Sequence, residues 1–430
     1  VKSHKKRKWV IKMKEIKRDI YLQKLIDKKE NEMIKVITGI RRCGKSYLLD
    51  PIYKNYLLST GVKEDHIIKL ELDSIENKEY LDAPKLYNYV MDKIQDDKMY
   101  YILLDEIQKV DDFESVLNSF LRKKNLDVYV TGSNSKFLSS DIITEFRGRG
   151  DEIRVYPLTF REYLPACNKD IDEALKEYIT YGGMPYILSR KTDEEKSKYL
   201  NNLFNNTYIN DIVERNNIQK NEILESLINI LASSVGSLNN PLKLEKTFKS
   251  KGFKNVTAKT INTYIDYLID AFMINKALRY DVKGKKYINT PSKYYFTDIG
   301  LRNVRLNFRQ QEDNHLMENI IYNELLVRGF NVDVGVVEYM TKDKNNKKMR
   351  KQLEVDFVCN KGSNRYYVQS AYAIPTKEKM EQEEQSLIKI DDFFKRIIIV
   401  ENDIKLWRNE KGIVIMGLKQ FLLDDNSLDL

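Results

Sequence analysis

The chain of 430 residues predicts two to four domains, each long enough for its own hydrophobic core. Hydrophobic residues make up 42% and charged residues 32%, and no apolar run approaches the roughly 18 residues of a membrane span, so we expect no membrane contact. The formal net charge is +9, but residues 1–12 carry six of these charges. The remaining body is about +3, so the overall charge does not single out nucleic acid as a partner.

Two features of the sequence bear on its compartment. The basic stretch at residues 1–12 lacks the apolar segment of a signal peptide, and Met13 follows it, so one interpretation is an upstream extension that is not native. The three cysteines, Cys43, Cys167 and Cys359, form no CxxC pair, and with three histidines in the chain there is no zinc pattern. This cysteine usage predicts a reducing cytoplasm.

In chain order, an amphipathic helix is predicted over residues 16–30, followed by a glycine-rich motif. A β-rich run at residues 34–38 leads into Gly-x-x-x-x-Gly-Lys-Ser at residues 39–46, and a helical pattern follows. This order of strand, loop and helix is the Walker A arrangement. The glycines let successive N–H groups point at a phosphate, and the positive end of the following helix strengthens the anion site.

The polar residues of the loop have expected roles in binding ATP and Mg²⁺. Lys45 is expected to reach the β- and γ-phosphates, and the Ser46 hydroxyl to ligate Mg²⁺. Cys43 is interpreted as a small buried residue, with an oxidant-sensitive thiol as the alternative. The residues predicted to contact the nucleotide are Gly39, Arg41, Arg42, Cys43, Gly44, Lys45, Ser46 and Tyr47.

A later apolar strand ends in two acids. After a strand predicted at residues 67–72 and a helix at 86–94, the run at 100–104 lacks polar alternation, which indicates a parallel strand buried on both faces. Asp105 and Glu106 follow it. In P-loop proteins this is the Walker B pattern, in which the first acid supports Mg²⁺ and the second orients and deprotonates the attacking water.

Two further segments supply candidate catalytic side chains. A strand beginning at Asp127 brings Ser133 and Asn134 to the same sheet edge, where Asn134 is expected to hold the hydrolytic water or sense the γ-phosphate; a turn with helix-capping residues is the alternative. Arg147 and Arg149 then lie on glycine-flanked backbone. We favour an arginine finger supplied in trans, with Arg149 ahead of Arg147, over a solvated loop.

Together these motifs carry a family resemblance. The chain contains, in this order, Val36-Ile-Thr-Gly-Ile-Arg-Arg-Cys-Gly-Lys-Ser, Leu104-Asp-Glu-Ile-Gln, Val130-Thr-Gly-Ser-Asn-Ser, Arg147-Gly-Arg, Tyr156-Pro-Leu-Thr-Phe-Arg-Glu-Tyr and Tyr181-Gly-Gly-Met-Pro. From residue 13 onward it resembles the prokaryotic AAA-type ATPases with a C-terminal nuclease-like domain of unknown function. The resemblance implies an AAA+ core in a homo-oligomer, with a hexamer favoured. It also implies the roles given above for Lys45, Ser46, Asp105, Glu106, Asn134 and Arg149.

The middle of the chain predicts a helical lid and then a winged helix. Residues 173–218 are predicted to be mostly helical, with a sharp turn at 182–185. Helices at 242–249 and 257–269, the second capped by Thr257, precede two strands at 273–280 and 286–288. That order resembles a winged helix, whose second helix can enter the major groove of DNA, although such domains also bind proteins. The lysines expected to face phosphate are Lys254, Lys259, Lys283, Lys285 and Lys286.

The C-terminal part resembles the PD-(D/E)xK nuclease fold in its α-β-β order. Glu318 on a helix and Asp356 on a strand match two metal-binding acids of that fold. Gln369-Ser370-Ala371 stands where Glu-x-Lys is needed, so a metal ligand and the lysine are both lost. Lys377 or Lys379 is the alternative source of a lysine. We therefore predict a degenerate site in a retained fold that binds DNA or mediates assembly, without nuclease activity.

The predicted fold class is α/β: an AAA+ P-loop core with a helical lid, a winged-helix domain and a C-terminal restriction-endonuclease-like domain. The predicted ranges are 1–12 for the basic extension, 13–165 for the core, 166–220 for the lid, 221–305 for the winged helix and 306–430 for the nuclease-like domain. The predicted function is Mg²⁺-dependent ATP hydrolysis coupled to binding or remodelling of DNA, including branched DNA. The alternatives are an ATP-dependent switch that acts on a protein partner and an ATP-gated nuclease.

Overall fold

The computed structural model describes residues 16–132, 148–219, 221–309, 312–342 and 347–430. The basic extension at residues 1–12 lies outside this part of the chain. The described residues form one sheet of five strands and one sheet of eight strands, with helices around and between them. Among these residues no helix combines the length and the apolarity needed to cross a membrane.

The first sheet is entirely parallel and has the order β2-β3-β4-β1-β5. Its strands are β1 (Ile34–Thr38), β2 (Ile67–Glu71), β3 (Tyr100–Asp105), β4 (Leu126–Thr131) and β5 (Gly150–Arg154). Strands β1 and β3 are buried along their whole length, and for β3 this confirms the prediction from its apolar run. Because the strands are parallel, the carboxyl ends of β1, β3 and β4 meet at one edge of the sheet.

Helices cover both faces of this sheet. They are α1 (Asp19–Asp27), α2 (Lys45–Tyr47), α3 (Lys54–Ser59), α4 (Ala83–Lys93) and α5 (Phe113–Phe120), with a π-helical stretch at Leu48–Tyr53. One core contains Tyr21, Leu48 and Tyr129, and the other contains Leu86 and Phe120. Helix α1 is shorter than predicted, and α4 begins three residues early because the Asp82 side chain accepts a hydrogen bond from the backbone N–H of Lys85.

A run of helices follows the first sheet. They are α6 (Phe160–Cys167), α7 (Ile171–Tyr181), α8 (Asp193–Leu203), α9 (Asn210–Arg215), α10 (Asn221–Ser233), α11 (Pro241–Ser250) and α12 (Ala258–Asp270). A 3₁₀ helix at Pro185–Ser189 and a π-helical stretch at Phe204–Ile209 lie between them. The predicted helical character of residues 173–218 is confirmed. The predicted cap is also confirmed, since the Thr257 side chain accepts a hydrogen bond from the N–H of Thr260.

The second sheet has the order β12-β13-β11-β10-β9-β8-β6-β7. Its strands are β6 (Ile274–Asp281), β7 (Lys286–Phe296), β8 (Asn331–Lys342), β9 (Lys348–Lys361), β10 (Asn364–Ala371), β11 (Lys395–Val400), β12 (Trp407–Arg408) and β13 (Val414–Gly417). The accompanying helices are α13 (Ile299–Arg305), α14 (Asp313–Val327), α15 (Lys377–Ile388) and α16 (Leu418–Leu423). The predicted α-β-β order is present as α14, β8 and β9.

This sheet crosses the boundary predicted between residues 305 and 306. The hairpin β6–β7 has the two strands expected of a wing, but β7 runs on to Phe296 and its last residues are buried. Strand β6 then pairs in parallel with β8, at residues 279–281 and 334–336. Hence the predicted wing and the predicted nuclease-like domain share one sheet, because the apolar end of β7 packs into the common core.

The buried carboxylate of Asp298 joins the helical region to the second sheet. It accepts hydrogen bonds from the backbone N–H groups of Gly183 at 2.7 Å and Leu301 at 3.1 Å. A Cβ added to Gly183 would lie 2.1 Å from the carbonyl oxygen of Leu158, so only glycine fits there. Burial raises the pKa of Asp298 to about 6, although these backbone hydrogen bonds oppose the shift.

The raised pKa of Asp298 gives stability a defined pH dependence. Between about pH 4 and pH 6 the folded chain holds a proton that the unfolded chain has released, so the contribution of this residue to stability falls as pH rises. We expect the free energy of unfolding of the wild type, relative to Asp298→Asn, to fall by up to about 3 kcal/mol across that window. Urea unfolding at a series of pH values measures it. Asp97→Asn, at an exposed turn, is the control; parallel profiles for Asp298→Asn and the wild type would contradict the prediction.

Candidate functional site

The phosphate loop begins where β1 ends, and its two glycines are required by geometry. Gly39 has φ +140°, and a Cβ there would lie 2.1 Å from the carbonyl oxygen of Val155. Gly44 has φ 103° and precedes α2 directly. These conformations turn the loop between strand and helix, as the Walker A spacing predicted.

Lys45 is buried inside this loop. Its Nζ donates hydrogen bonds to the backbone carbonyls of Gly39 at 3.0 Å and Ile40 at 3.3 Å, and the residue is 4% exposed. Cys43 is fully buried with its sulfur 3.5 Å from the carbonyl oxygen of Val155, which fits the interpretation as a small buried residue. The Lys45 ammonium therefore sits among backbone groups that phosphate oxygens can replace.

The two acids after β3 lie beside the loop. Burial raises the pKa of Asp105, and hydrogen bonds from Thr131 and Ser46 oppose the shift. Ser46 and Asp105, the predicted metal ligands, are thus in contact. The Thr131 hydroxyl donates to Asp105 and accepts from the backbone N–H of Glu106 at 2.9 Å, so a residue missed by sequence reasoning fixes both acids.

Glu106 has an unusual backbone conformation. Its φ of 56° and ψ of 47° lie in the left-handed region, which side chains other than glycine rarely adopt. Its carboxylate accepts a hydrogen bond from the Gln108 side chain. A strained residue at the end of a central strand fits a functional constraint on where this carboxylate points.

Two arginines near Glu106 come from different elements. One guanidinium nitrogen of Arg41, in the phosphate loop, donates to both carboxylate oxygens of Asp211 of α9, at 2.9 and 2.7 Å, and the Tyr208 hydroxyl donates to the Arg41 carbonyl at 2.9 Å. Burial opposes the charge on Arg41, but the Asp211 carboxylate raises its pKa overall. Burial lowers the pKa of Arg215, also on α9, although the carboxylates of Asp211 and Glu106 oppose this. Sequence reasoning missed Arg215 because no motif marks it.

The loop also borders a cavity of about 420 Å³. Arg42, an exposed loop residue with φ 65°, forms one side. The other side comes from the helical region and includes Arg190, Lys198 and Tyr199. The Arg190 guanidinium stacks 5.5 Å from the Tyr199 ring. The cavity thus offers positive charge and an aromatic ring next to the phosphate loop.

The remaining predicted catalytic residues lie away from this edge or outside the described residues. Ser133, Asn134 and Arg147 lie outside the described ranges. Arg149 is exposed, and its carbonyl accepts a hydrogen bond from Ile34 at the start of β1, at 3.0 Å. The phosphate loop begins five residues further along β1, about 16 Å away. Arg149 therefore lies at the opposite edge of the sheet from the phosphate loop of its own chain.

The three residues of the predicted degenerate site do come together. The Asp356 carboxylate on β9 accepts a hydrogen bond from the Ser370 N–H at 2.8 Å, and Gln369 accepts one from the Asp356 N–H at 3.3 Å. Glu318 of α14 is linked to them through Lys293 of β7, whose Nζ lies 2.8 Å from Glu318 and 3.7 Å from Asp356. The structure thus brings a lysine to the cluster from a strand that precedes the α-β-β unit.

Lys293 neutralises carboxylates that are almost fully buried. It is 3% exposed and also contacts Glu354 at 2.7 Å. Burial and the neighbouring Glu318 charge raise the pKa of Asp356. Burial opposes ionisation of Glu318, but Lys293 holds its pKa below the ordinary value. In the described part of the chain, no group of three or more His, Cys, Asp or Glu residues is arranged to hold a metal.

Lys377 and Lys379, suggested as replacements for the missing nuclease lysine, do not lie at the centre of this cluster. Lys377 and Lys379 begin α15, and Lys379 pairs with Glu383 at 2.6 Å. Glu383 in turn accepts a hydrogen bond from Gln369 at 3.3 Å. Lys379 therefore reaches the border of the cluster through another acid, whereas Lys293 contacts the acids directly.

The five lysines predicted to contact DNA are all exposed. Lys254 precedes α12 and Lys259 lies in its first turn, while Lys283 and Lys285 belong to the turn between β6 and β7 and Lys286 begins β7. Lys283 pairs with Asp391 at 3.0 Å. A cleft of about 700 Å³ includes Lys283 and Lys286 but neither Lys254 nor Lys259.

Comparisons with known proteins give one family model that covers the strands of the first sheet. A family model described as an AAA domain matches residues 31–164, and a model described as a domain of unknown function, DUF8612, matches residues 172–312. An uncharacterized protein of Haemophilus influenzae is 36% identical over 391 residues, 89% of this chain and 93% of that protein. The uncharacterized protein MJ1544 of Methanocaldococcus jannaschii is 30% identical over 388 residues, 86% of this chain and 80% of that protein. The Walker-type ATPase PABY2304 of Pyrococcus abyssi is 14% identical with a TM-score of 0.48, covering 68% of this chain and 96% of that chain.

The Lys293 network makes a prediction about stability. Lys293→Met would leave buried carboxylates without a counter-charge, so we expect the free energy of unfolding to fall by about 3 to 5 kcal/mol. Adding Glu318→Gln to Lys293→Met should recover part of the loss, because it removes one uncompensated charge. The side chain of Lys379 is 40% exposed in its pair with Glu383, so Lys379→Met should lower the free energy of unfolding by at most about 1 kcal/mol. Urea unfolding of the full chain measures all of these, and equal losses for the two lysine variants would refute the buried network.

Proposed function

The chain is an AAA-type P-loop ATPase of the same family as the uncharacterized proteins of Haemophilus influenzae and Methanocaldococcus jannaschii, and we propose that it couples Mg²⁺-dependent ATP hydrolysis to the binding or remodelling of DNA. The observation that carries the hydrolytic part is the contact network of Ser46, Asp105, Thr131 and Glu106 beside the buried Lys45. These groups lie at the carboxyl edge of a parallel sheet, where such sheets bind ligands.

Each residue of the network fits one task. Lys45 would contact the β- and γ-phosphates, with the loop backbone from Gly39 to Gly44 around them. Ser46 and Asp105 offer the hard oxygen ligands that Mg²⁺ prefers and would hold it against the phosphates, where its charge stabilises the transition state. Glu106, fixed at its backbone by Thr131, would orient and deprotonate the attacking water.

The proposed assembly is a homo-oligomer, with a hexamer favoured. Support comes from the position of Arg149 at the far edge of the sheet, because there it lies too far from the phosphate loop to reach the phosphates of its own chain, and it is exposed. A head-to-tail ring would bring it to the next subunit's ATP as an arginine finger. Asn134 and Arg147 keep their proposed roles as polar sensor and alternative finger.

The proposed substrate is DNA, including branched DNA, bound through the winged-helix lysines at 254, 259, 283, 285 and 286. The C-terminal sheet would serve binding or assembly rather than cleavage. The absence of cleavage is supported by Lys293, which occupies the space between Glu318 and Asp356 that a catalytic metal would need. An ATP-gated nuclease is the competing possibility, and a Mg²⁺-dependent cleavage assay separates the two.

A second candidate function is an ATP-dependent switch that acts on a protein partner. The ion pair between Arg41 of the phosphate loop and Asp211 of α9 favours it, because any nucleotide that moves Arg41 also acts on the helical region. Such a switch needs no DNA. Its ATPase rate would be indifferent to every nucleic acid.

We expect the ATPase rate of the full chain to rise with one of single-stranded, duplex or four-way-junction DNA. Glu106→Gln should lower both basal and stimulated rates by at least about 100-fold, because it removes the base that activates water. Gln108→Ala, which removes only the side chain that donates to Glu106, serves as the matched control with a smaller loss. A steady rate that no DNA alters would contradict the remodelling function and favour the protein switch.

Arg149→Ala should lower the ATPase rate by about 1,000-fold or more if the residue is an arginine finger. Mixing it in equal amount with inactive Lys45→Ala should restore about a quarter of the wild-type rate, because that share of head-to-tail interfaces combines an intact phosphate loop with an intact finger. Arg122→Ala, at another exposed arginine, should be neutral. Absence of recovery on mixing would show that Arg149 does not act in trans.

A further inference from the structure

We propose that the outer part of the β8–β9 hairpin is a binding element for duplex nucleic acid. We call residues 338–342 and 348–352 the basic ribbon. The proposal rests on the DNA-directed function proposed above and assigns it a surface that the winged-helix lysines alone do not provide.

The basic ribbon extends beyond the rest of its sheet. Strand β6 pairs with β8 at residues 334–336, and β10 pairs with β9 at residues 357–361. In the described part of the chain, the ribbon's two strands pair only with each other, from Glu338 opposite Gln352 to Lys342 opposite Lys348. A free two-stranded ribbon has the width that the major groove of a duplex admits.

The ribbon concentrates positive charge that the rest of the body lacks. Its ten residues contain four lysines and arginines and one acid. That surplus of three equals the net charge of the whole chain after residue 12, about +3, so the remainder of the body is close to neutral. Lys348, Arg350 and Lys351 are all exposed. The element is therefore suited to a polyanion.

One pair of lysines in the ribbon destabilises the folded chain when no ligand is bound. Lys342 and Lys348 lie directly opposite each other across the ribbon. Like charges in that position destabilise a β-ribbon. Of the ribbon cations, Arg350 has a local partner in Glu338. A phosphate group beside the two lysines would attract both and so offset their mutual repulsion.

A second group of lysines lines a cleft beside the ribbon. The cleft of about 700 Å³ is lined by four ribbon residues, Glu338, Tyr339, Met340 and Arg350, and by Asp281, Lys283, Lys286 and Lys389 from outside the ribbon. Lysines and arginine outnumber the acids in this lining by four to two. Met340 is 62% exposed, which leaves apolar surface beside the cations. The cleft thus joins the ribbon to two of the lysines already proposed to contact DNA.

The shape of the ribbon favours a duplex over an anionic membrane. Residues directly opposite each other share a face, so Lys342, Lys348 and Arg350 lie on one face of the ribbon and Lys351 on the other. A ribbon that extends beyond its sheet can enter a major groove, where phosphates run along both edges of the groove. A flat membrane surface does not require such an extended element.

The test compares Lys342→Gln/Lys348→Gln/Lys351→Gln with Lys63→Gln/Lys123→Gln/Lys124→Gln in the full chain. The control changes the net charge equally at exposed lysines of the AAA domain. Fluorescence anisotropy with a short labelled duplex over a salt series reports affinity and its salt dependence. The ribbon variant should bind at least about 10-fold more weakly at low salt, and its salt slope should be shallower by about 2 to 3, one unit for each lost phosphate contact. Thermal unfolding verifies that both variants are folded.

Other outcomes distinguish this proposal from the proposed function. A ribbon variant that binds duplex with the wild-type affinity and slope overturns the ribbon assignment, whatever DNA does to the ATPase rate. Wild type that fails to bind duplex, or that binds phosphatidylserine vesicles in its place, also overturns it. If the ribbon variant loses duplex binding but no DNA alters ATP hydrolysis, the ribbon assignment stands and the coupling to remodelling fails.

Discussion

The buried carboxylate of Asp298 is the contact on which the two halves of the molecule depend. It accepts backbone hydrogen bonds from Gly183, in the helical region, and from Leu301, at the start of α13. The neighbouring elements have little room to adjust, because a Cβ on Gly300 would lie 2.0 Å from the carbonyl oxygen of Tyr181. Asn303 adds bonds to the carbonyls of Ile179 and Thr180 at 2.9 and 3.0 Å. This close packing of backbone on backbone fixes how α7 meets α13.

Direct contacts link the nucleotide site to the helical region. Arg41 of the phosphate loop is bound by Asp211, and Tyr208 binds the Arg41 backbone. These residues belong to the helical region that Asp298 ties to the second sheet. The contacts make the helical region sensitive to any displacement of Arg41 by a phosphate. The proposed function requires such a route, because the ATP site and the basic surfaces lie on different sheets.

The sequence predicted the features that depend on local geometry. The phosphate loop was predictable because Gly39 and Gly44 must adopt backbone angles that other residues resist, and the two acids because an apolar run ends at Asp105. Lys293 was not predictable, since it reaches Glu318 and Asp356 from a strand that was assigned to another domain. The role of Thr131, which contacts both Asp105 and Glu106, was not predictable either. It depends on the register between β3 and β4, and the sequence of one strand does not reveal that register. The shared sheet of β6 and β8 depends in turn on a parallel pairing over about 50 residues of chain, and the hydrophobic pattern of either strand alone does not specify its partner.

Two buried lysines, Lys45 at the phosphate loop and Lys293 in the acid cluster of the second sheet, show why we assign catalysis to the first site and not to the second. The Lys45 ammonium is held by two neutral carbonyls, so the loop keeps a net positive charge and remains attractive to a phosphate. The Lys293 ammonium is surrounded by three carboxylates, of which Asp356 has a raised pKa because burial and Glu318 both disfavour its charge. An incoming divalent cation would have to displace an ammonium that already supplies the charge these acids need, while an incoming phosphate would meet their negative charge. A buried lysine thus leaves the first site ready to bind a ligand, whereas in the second site it neutralises the acids without one. For this reason we assign the binding function of the second sheet to its exposed basic ribbon and not to its buried acids.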